Sequence, residues 1–292
     1  MEARSSEHRR DASGGFHSGI VRLRERKRLE AVMNRIALFC QPTLPNPALI
    51  ERMFASEAWL KQHYERAFGA LVPPETCGGR ACWETAGAEA REWALWAGLD
   101  ALHALVAQST ALSAERLQAQ AVAVGALAKL CVPRIPGADE AVVVPAAATA
   151  HLGIVVLALL APETYPKLLS SLGGTPTQLH EIELRTFGTT HAEVGALAAR
   201  EWNFPLPVVQ AIADHHGDWS KLNPNSLAVF AGECLAHPLG YDGGLANIPA
   251  TPPDALLAKL GIGDADIARL AEGALGAVGK ARKMTAAASR AA

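Results

Sequence analysis

The sequence predicts an all-α fold, and three features of it do so. Half of the 292 residues are hydrophobic but only 5% are aromatic, and Ala and Leu fill the apolar positions. Both are strong helix formers, whereas β-branched runs are scarce. From about residue 34 to 237, apolar residues recur at helical spacing between Pro, Gly and Asn breaks. A capping box opens one of these segments, Thr190-x-x-Glu193. A chain of this length can bury a substantial core.

In chain order, residues 1–33 are expected to be a flexible basic tail. They are polar and contain Gly and Ser, without the apolar stretch that a secretion signal requires. The cluster Arg22, Arg24, Arg26, Lys27 and Arg28 could serve as an arm for nucleic acid or an acidic partner; the plainer reading is a solvated helix or leader. Residues 34–240 form the expected main domain. Within it, Ala141 to Ala161 reads AVVVPAAATAHLGIVVLALLA, close to the length a bilayer needs. Pro145 near its start and His151 at its centre speak against a span, because an unpartnered imidazole is costly in lipid. A helix buried in a helical core is expected instead. Residues 241–278 are expected to add a C-terminal helical pair, after a loop from Gly243 to Pro253. Residues 279–292 are expected to fray.

Charge and cysteine content exclude some classes of function. The formal net charge of −2 gives no global attraction to nucleic acid or anionic membranes. Five cysteines, Cys40, Cys77, Cys82, Cys131 and Cys234, form no repeating framework. Cys77-x4-Cys82 has no second pair to complete a zinc site, so reduced thiols are expected.

The most informative stretch is Glu183 to Gly217. The capping box starts a helix at about His191, whose apolar face is Val194, Leu197, Ala198 and Trp202. The turn around Pro205 ends it, and Pro207 suits the first turn of the next helix. Val208, Val209 and Ile212 point inward there, and His215 and His216 continue that stripe before Gly217 stops it. The resulting hairpin should bring His191 onto the tandem pair. Such imidazoles could hold Zn²⁺ or Fe²⁺. Alternatively they lock helix ends by bonding backbone carbonyls and the Glu183 carboxylate. His8, His17, His63, His103, His180 and His237 fit no constellation.

The string E183-x3-FG-x2-HAEVG-x6-W-x2-P-x6-IADHH resembles the C-terminal signature of HDOD domains, the HD-related output domains of bacterial signalling proteins. Trp96 to Val106 resembles that family's LGLDALRxLV segment. Glu115 to Leu130, Ala146 to Leu157 and Leu227 to Ala236 resemble its later helices. The resemblance runs from about Thr43 to His237, is strongest over 178–237, and is faint at Leu44 to Leu49. It implies an HD-like multi-helix domain with an added C-terminal helical pair.

The departures from catalytic HD relatives set the functional expectation. Alignment on Gly153 puts Ala150 and His151 where those relatives carry a His-Asp pair. Their upstream ligand histidine falls near Gln118 or Gln120. Their late aspartate falls at Gly232, with Glu233 one residue on and turned about 100° around the helix axis. A two-metal hydrolase needs carboxylates to bridge its cations, and the bridging Asp is missing. The resemblance therefore implies a non-catalytic regulatory or scaffold module of bacterial signal transduction, cytoplasmic and acting through a signalling protein partner. Catalytic residues are expected to be absent. The alternative is a divergent metal-dependent phosphohydrolase acting on a nucleotide or cyclic dinucleotide. No cofactor is expected, save a single Zn or Fe that His151, His191, His215 and His216 could hold. Glu183, Glu193, Gly195, Trp202 and Glu233 are the supporting residues. No membrane association is expected, and nucleic acid could engage only Arg22, Arg24, Arg26, Lys27 and Arg28.

Overall fold

The computed structural model describes residues 15–43, 48, 52, 55–72, 89–108, 110, 112–172, 178–243 and 253–289. Cys77, Cys82, His8, the faint match at 44–47 and 49, and the loop at 244–252 lie outside these residues, as do the first fourteen and last three. Among the described residues there is no strand, as the composition predicts.

After a helical stretch at 15–23 come α1 (Lys27–Phe39), α2 (Ala58–Gly69), α3 (Ala90–Ala107) and α4 (Ala114–Cys131). Next are α5 (Glu140–Thr149), α6 (Leu152–Leu160), α7 (Tyr165–Ser171), α8 (Leu179–Phe187), α9 (His191–Glu201) and α10 (Leu206–Asp214). The chain ends with α11 (Pro224–Ala236), α12 (Asp254–Leu260) and α13 (Asp264–Ser289). Short polar side chains start several of them. Ser113 accepts from the Arg116 amide, Asp139 from Ala141, and Asn223 from Asn225 and Ser226.

α4 is the axis of the fold. It packs against α3, α5, α11 and α13, and Leu117, Val122, Val124, Leu127 and Ala128 are buried. Small residues let its neighbours come close. A Cβ at Gly232 of α11 would sit 2.7 Å from the Ala128 amide nitrogen and 2.8 Å from the Val124 carbonyl oxygen, so only glycine fits.

Three expectations are corrected. Residues 15–33 are not a free tail: Ile20, Leu23, Leu29 and Val32 are buried in the core. Arg24 donates to the Glu201 carbonyl, and Trp202 donates to Glu30 at 2.7 Å. Arg28 lies over the Trp59 ring. The apolar spacing 20, 23, 29, 32, 36 outweighs the charges between, which stay on the solvent face. At the other end, residues 279–289 do not fray, because α13 runs to Ser289 and buries Ala281, Met284 and Ala288. The third correction concerns the apolar stretch Glu140–Leu160. It is the one stretch among the described residues with the length and composition of a membrane span, and 83% of its apolar window is buried. It is two helices rather than one, broken at Ala150-His151.

Candidate functional site

Two glycines build the site. α6 crosses α9 where Gly153 meets Gly195: a Cβ on Gly195 would lie 2.9 Å from the Gly153 nitrogen, and one on Gly153 would collide with the His191 carbonyl. The backbones therefore touch at the start of both helices. His151 precedes α6 and His191 opens α9, so the crossing stacks their rings 5.5 Å apart. The capping box forms as the sequence predicts, with Thr190 accepting from the Glu193 amide and Glu193 accepting from the Thr190 amide. It fixes the turn from which His191 projects.

The hairpin then returns the chain. Asn203 takes a left-handed φ of 58°, and Pro207 lies in the first turn of α10. α10 stops at Asp214, two residues earlier than the inward stripe suggests, and the Gly217 amide donates to the Asp214 carbonyl at 2.7 Å. His215 and His216 therefore sit in the turn. Their rings lie 5.3 Å and 4.8 Å from that of His191. The candidate ligand nitrogens of His151, His191, His215 and His216 all fall within 4.8 Å of one another.

Outer groups aim these rings. The Tyr165 hydroxyl donates to Glu183 Oε1 at 2.5 Å, while Glu183 Oε2 accepts from the His191 amide and from His191 Nδ1, both at 2.7 Å. His215 Nδ1 donates to the Ile212 carbonyl at 2.6 Å. With both Nδ1 atoms engaged, both Nε2 atoms face inward. His216 Nε2 lies 2.9 Å from His191 Nε2.

The carboxylate of Glu233 enters the same space. His151 Nε2 donates to its Oε1 at 3.1 Å, and the Nε2 atoms of His237 and His216 lie 3.6 Å and 4.0 Å from that oxygen. Its Oε2 is 3.8 Å from His215 Nε2, and neither of those two atoms makes a hydrogen bond. This corrects the expectation that Glu233 is turned away. Gly232 is committed to the close contact with α4, so the next residue is the one that faces the cluster.

The electrostatics follow from burial and pairing. Burial alone would push the Glu233 carboxyl up, but the positive potential of His151, His216 and His215 outweighs it and the carboxyl stays well below its usual range. Glu183 is held down in the same way, against its burial, by His191 and the bonds it accepts. His191, lowered by burial, is raised on balance by Glu183. His215 is lowered to about 3, chiefly by burial, although Glu233 and the bond to the Ile212 carbonyl pull the other way.

The remaining residues divide. Gln118 and Gln120 stay out of the cluster: Gln118 bonds His103 and the Trp96 carbonyl. Gln120 and His151 line one cavity of about 10 Å³, room for about one water. Trp202 is buried beside Glu30, behind the site. Sequence reasoning set aside His180 and His237, but His180 stacks on His216 with centroids 4.5 Å apart and His237 adjoins Glu233. Helical spacing carried the signal, with His180 three residues before Glu183 and His237 four after Glu233. Tyr165 had no such signal. His63 approaches Asp100, and His17 approaches Glu201.

Comparison with known proteins agrees with this architecture. The HDOD domain family model matches residues 88–217. A comparison with curated proteins finds no match. Among solved structures, the chain resembles an HDOD domain protein from Geobacter sulfurreducens, with TM-score 0.59 and 18% identity over 84% of this chain and 82% of that one. It also resembles a protein from Marinobacter aquaeolei VT8 assigned to signal transduction, with TM-score 0.66 and 16% identity over 97% of this chain and 66% of that one. A third likeness is a protein from Shewanella amazonensis SB2B assigned as a phosphohydrolase, with TM-score 0.61 and 14% identity over 89% of this chain and 93% of that one. At these identities the structures speak for the fold alone. The family match and the helical signature at Glu183 to His216 agree: the chain carries an HDOD domain, at residues 88–217.

Proposed function

We propose that the chain is a non-catalytic output module of bacterial signal transduction, working in the cytoplasm by holding a protein partner. The observation that carries this reading is Ala150. It is fully buried at the helix break, in the place of the histidine of the relatives' His-Asp pair, and the next residue, His151, stands where a two-metal hydrolase would need a bridging carboxylate. Among the described residues Glu233 is the one carboxylate that faces His151, His215 and His216, and Glu183 is taken up by Tyr165 and His191. One facing carboxylate cannot both bridge two cations and offset their charge. The surroundings also support it. His191, His215, Glu183 and Glu233 are each at most 3% exposed, and the cavity against His151 has no room for a nucleotide. The Marinobacter protein of similar fold is assigned to signal transduction, which supports the setting.

The second reading, a divergent phosphohydrolase, draws on the histidine cluster itself and on the similar Shewanella protein. Turnover separates the two. Purified chain supplied with Mn²⁺ or Fe²⁺ should leave cyclic di-GMP and common nucleotides intact. Product formation at enzyme-like rates, abolished by His215→Ala in a chain that still folds, would sink the regulatory reading. A pull-down from the native host should return a signalling protein that His215→Ala also retains.

A further inference from the structure

We propose that the cluster is a mononuclear site for a divalent transition cation, held by Nε2 of His191, His215 and His216 and by Oε2 of Glu233, with His151 fixing the carboxylate through its other oxygen. This goes beyond the regulatory reading and does not depend on it.

Three observations carry the assignment. First, Glu233 Oε2 and His215 Nε2 are buried, face each other at 3.8 Å and make no hydrogen bond. Orphaned atoms of this kind are costly unless something sits between them. Second, the donor separations suit one ion. A tetrahedral site with metal–ligand distances of about 2.0–2.2 Å has donor–donor edges of roughly 3.3–3.6 Å. The 2.9 Å His191–His216 and 3.8 Å His215–Glu233 separations lie on either side of that edge, and the histidine donors all fall within 4.8 Å of one another, so the side chains must draw in by up to about an ångström to close the shell. Third, the outer groups match those that orient metal ligands. Glu183 takes the Nδ1–H of His191, the Ile212 carbonyl takes that of His215, and His151 donates to Glu233 Oε1.

Charge fixes the number of ions at one. Among the described residues Glu183 and Glu233 are the two buried carboxylates around the cluster, and together they offset one divalent cation. A second would stand uncompensated in a buried site. Three imidazoles and one carboxylate suit Zn²⁺ or Co²⁺, while Mg²⁺ and Ca²⁺ prefer all-oxygen shells. Gly232 sets the register: because α11 must touch α4 there, the acid that reaches the cluster is one residue later than in the catalytic relatives the sequence resembles.

The test uses the full chain, stripped with a chelator and titrated with Co²⁺ and Zn²⁺, with metal content measured on the dialysed protein. One equivalent should bind, with a tetrahedral Co²⁺ spectrum and a raised unfolding midpoint, and Mg²⁺ should give neither. Glu233→Gln should abolish binding, whereas His151→Ala, removing an outer group, should weaken it about 10- to 100-fold. His216→Ala, at a ring 22% exposed and so tolerant of truncation, should also abolish binding and serves if Glu233→Gln does not fold. A wild-type chain that binds neither Co²⁺ nor Zn²⁺ overturns the proposal, as does uptake of two equivalents. Wild-type affinity in either Glu233→Gln or His216→Ala overturns the ligand set. Turnover would instead sink the regulatory reading while leaving a one-ion site standing, so the two failures are distinguishable.

Discussion

His191, His215 and His103 are the same side chain at nearly the same burial, and what each ring meets sets its charge. All three lose water and would be pushed toward the neutral form. His191 meets the Glu183 carboxylate and is raised in spite of that. His215 donates to the Ile212 carbonyl, has Glu233 at 3.8 Å with no hydrogen bond between them, and falls to about 3 because burial outweighs that carboxylate. His103 meets Gln118 and falls to about 4, mainly by burial, although Asp100 on its own helix and the Gln118 bond both pull the other way. His103 yields a prediction away from the cluster. Its folded pKa lies below the unfolded value of 6.5, so acid favours the unfolded chain. The stability it contributes should be complete above about pH 6.5, fall as the pH drops toward 4, and amount to roughly 3 kcal/mol over that window. Asp100 with its neighbour His63, and His151 across the small cavity, are the titratable groups nearby, and all remain in a His103→Asn variant. Urea unfolding at several pH values should therefore show a shallower acid loss in the variant. Parallel curves would show that His103 is not buried and neutral.

At the scale of elements, the contact of α6 with α9 shows what a local pattern can and cannot carry. The start of α9 was legible because Thr190 and Glu193 signal it within four residues, and the hairpin because Pro205 and Pro207 punctuate it. The approach of His191 to His215 and His216 followed from that hairpin. The break at Ala150-His151 was not legible, since both flanks are uniformly apolar and the composition of a long buried helix is the same. Nor was the inward turn of Glu233, because it depends on which residue of α11 meets the backbone of α4. Residues 15–33 misled for the opposite reason: their charges are conspicuous, while the buried set Ile20, Leu23, Leu29 and Val32 is sparse. The Gly153–Gly195 contact gives this scale its prediction. Gly153→Ala pushes a methyl group onto the His191 backbone, which a side-chain rotation cannot relieve. The helices must separate, at a cost of about 3 kcal/mol or more. Thermal unfolding should register it, and the His151–His191 stacking should loosen. Gly276→Ala on α13, with open space around it, is the control and should leave stability unchanged or slightly raised. Equal midpoints for the two variants would contradict the crossing.

For the whole molecule, the family match and the folding unit are different lengths of chain. The matched segment, 88–217, holds α3 to α10 with His151, His191, His215 and His216, but Glu233 and α11 lie beyond it. α11 and α13 both pack on α4, α1 packs on α3, and α13 packs on α2. A fragment cut at 88 and 217 would lose the covering side chains Val32, Met33, Ile36 and Phe39 on one side and Leu227, Val229, Leu270, Val278 and Met284 on the other, all of them buried. Each large apolar side chain stabilises by about 1.5–3 kcal/mol when fully buried. Losing even half of these removes about 7–14 kcal/mol, comparable with the entire roughly 5–15 kcal/mol net stability of a folded domain. The 88–217 fragment should therefore lack a cooperative unfolding transition, and its exposed α4 should drive aggregation. A chain of residues 15–289 should unfold in one sharp step, because its first and last helices are tied to the middle by Trp202–Glu30, Arg134–Asp266 and Thr285–Asp100. Calorimetry on the two decides it. A fragment 88–217 that melts cooperatively near the midpoint of the longer chain would show that the flanking helices only decorate an independent core.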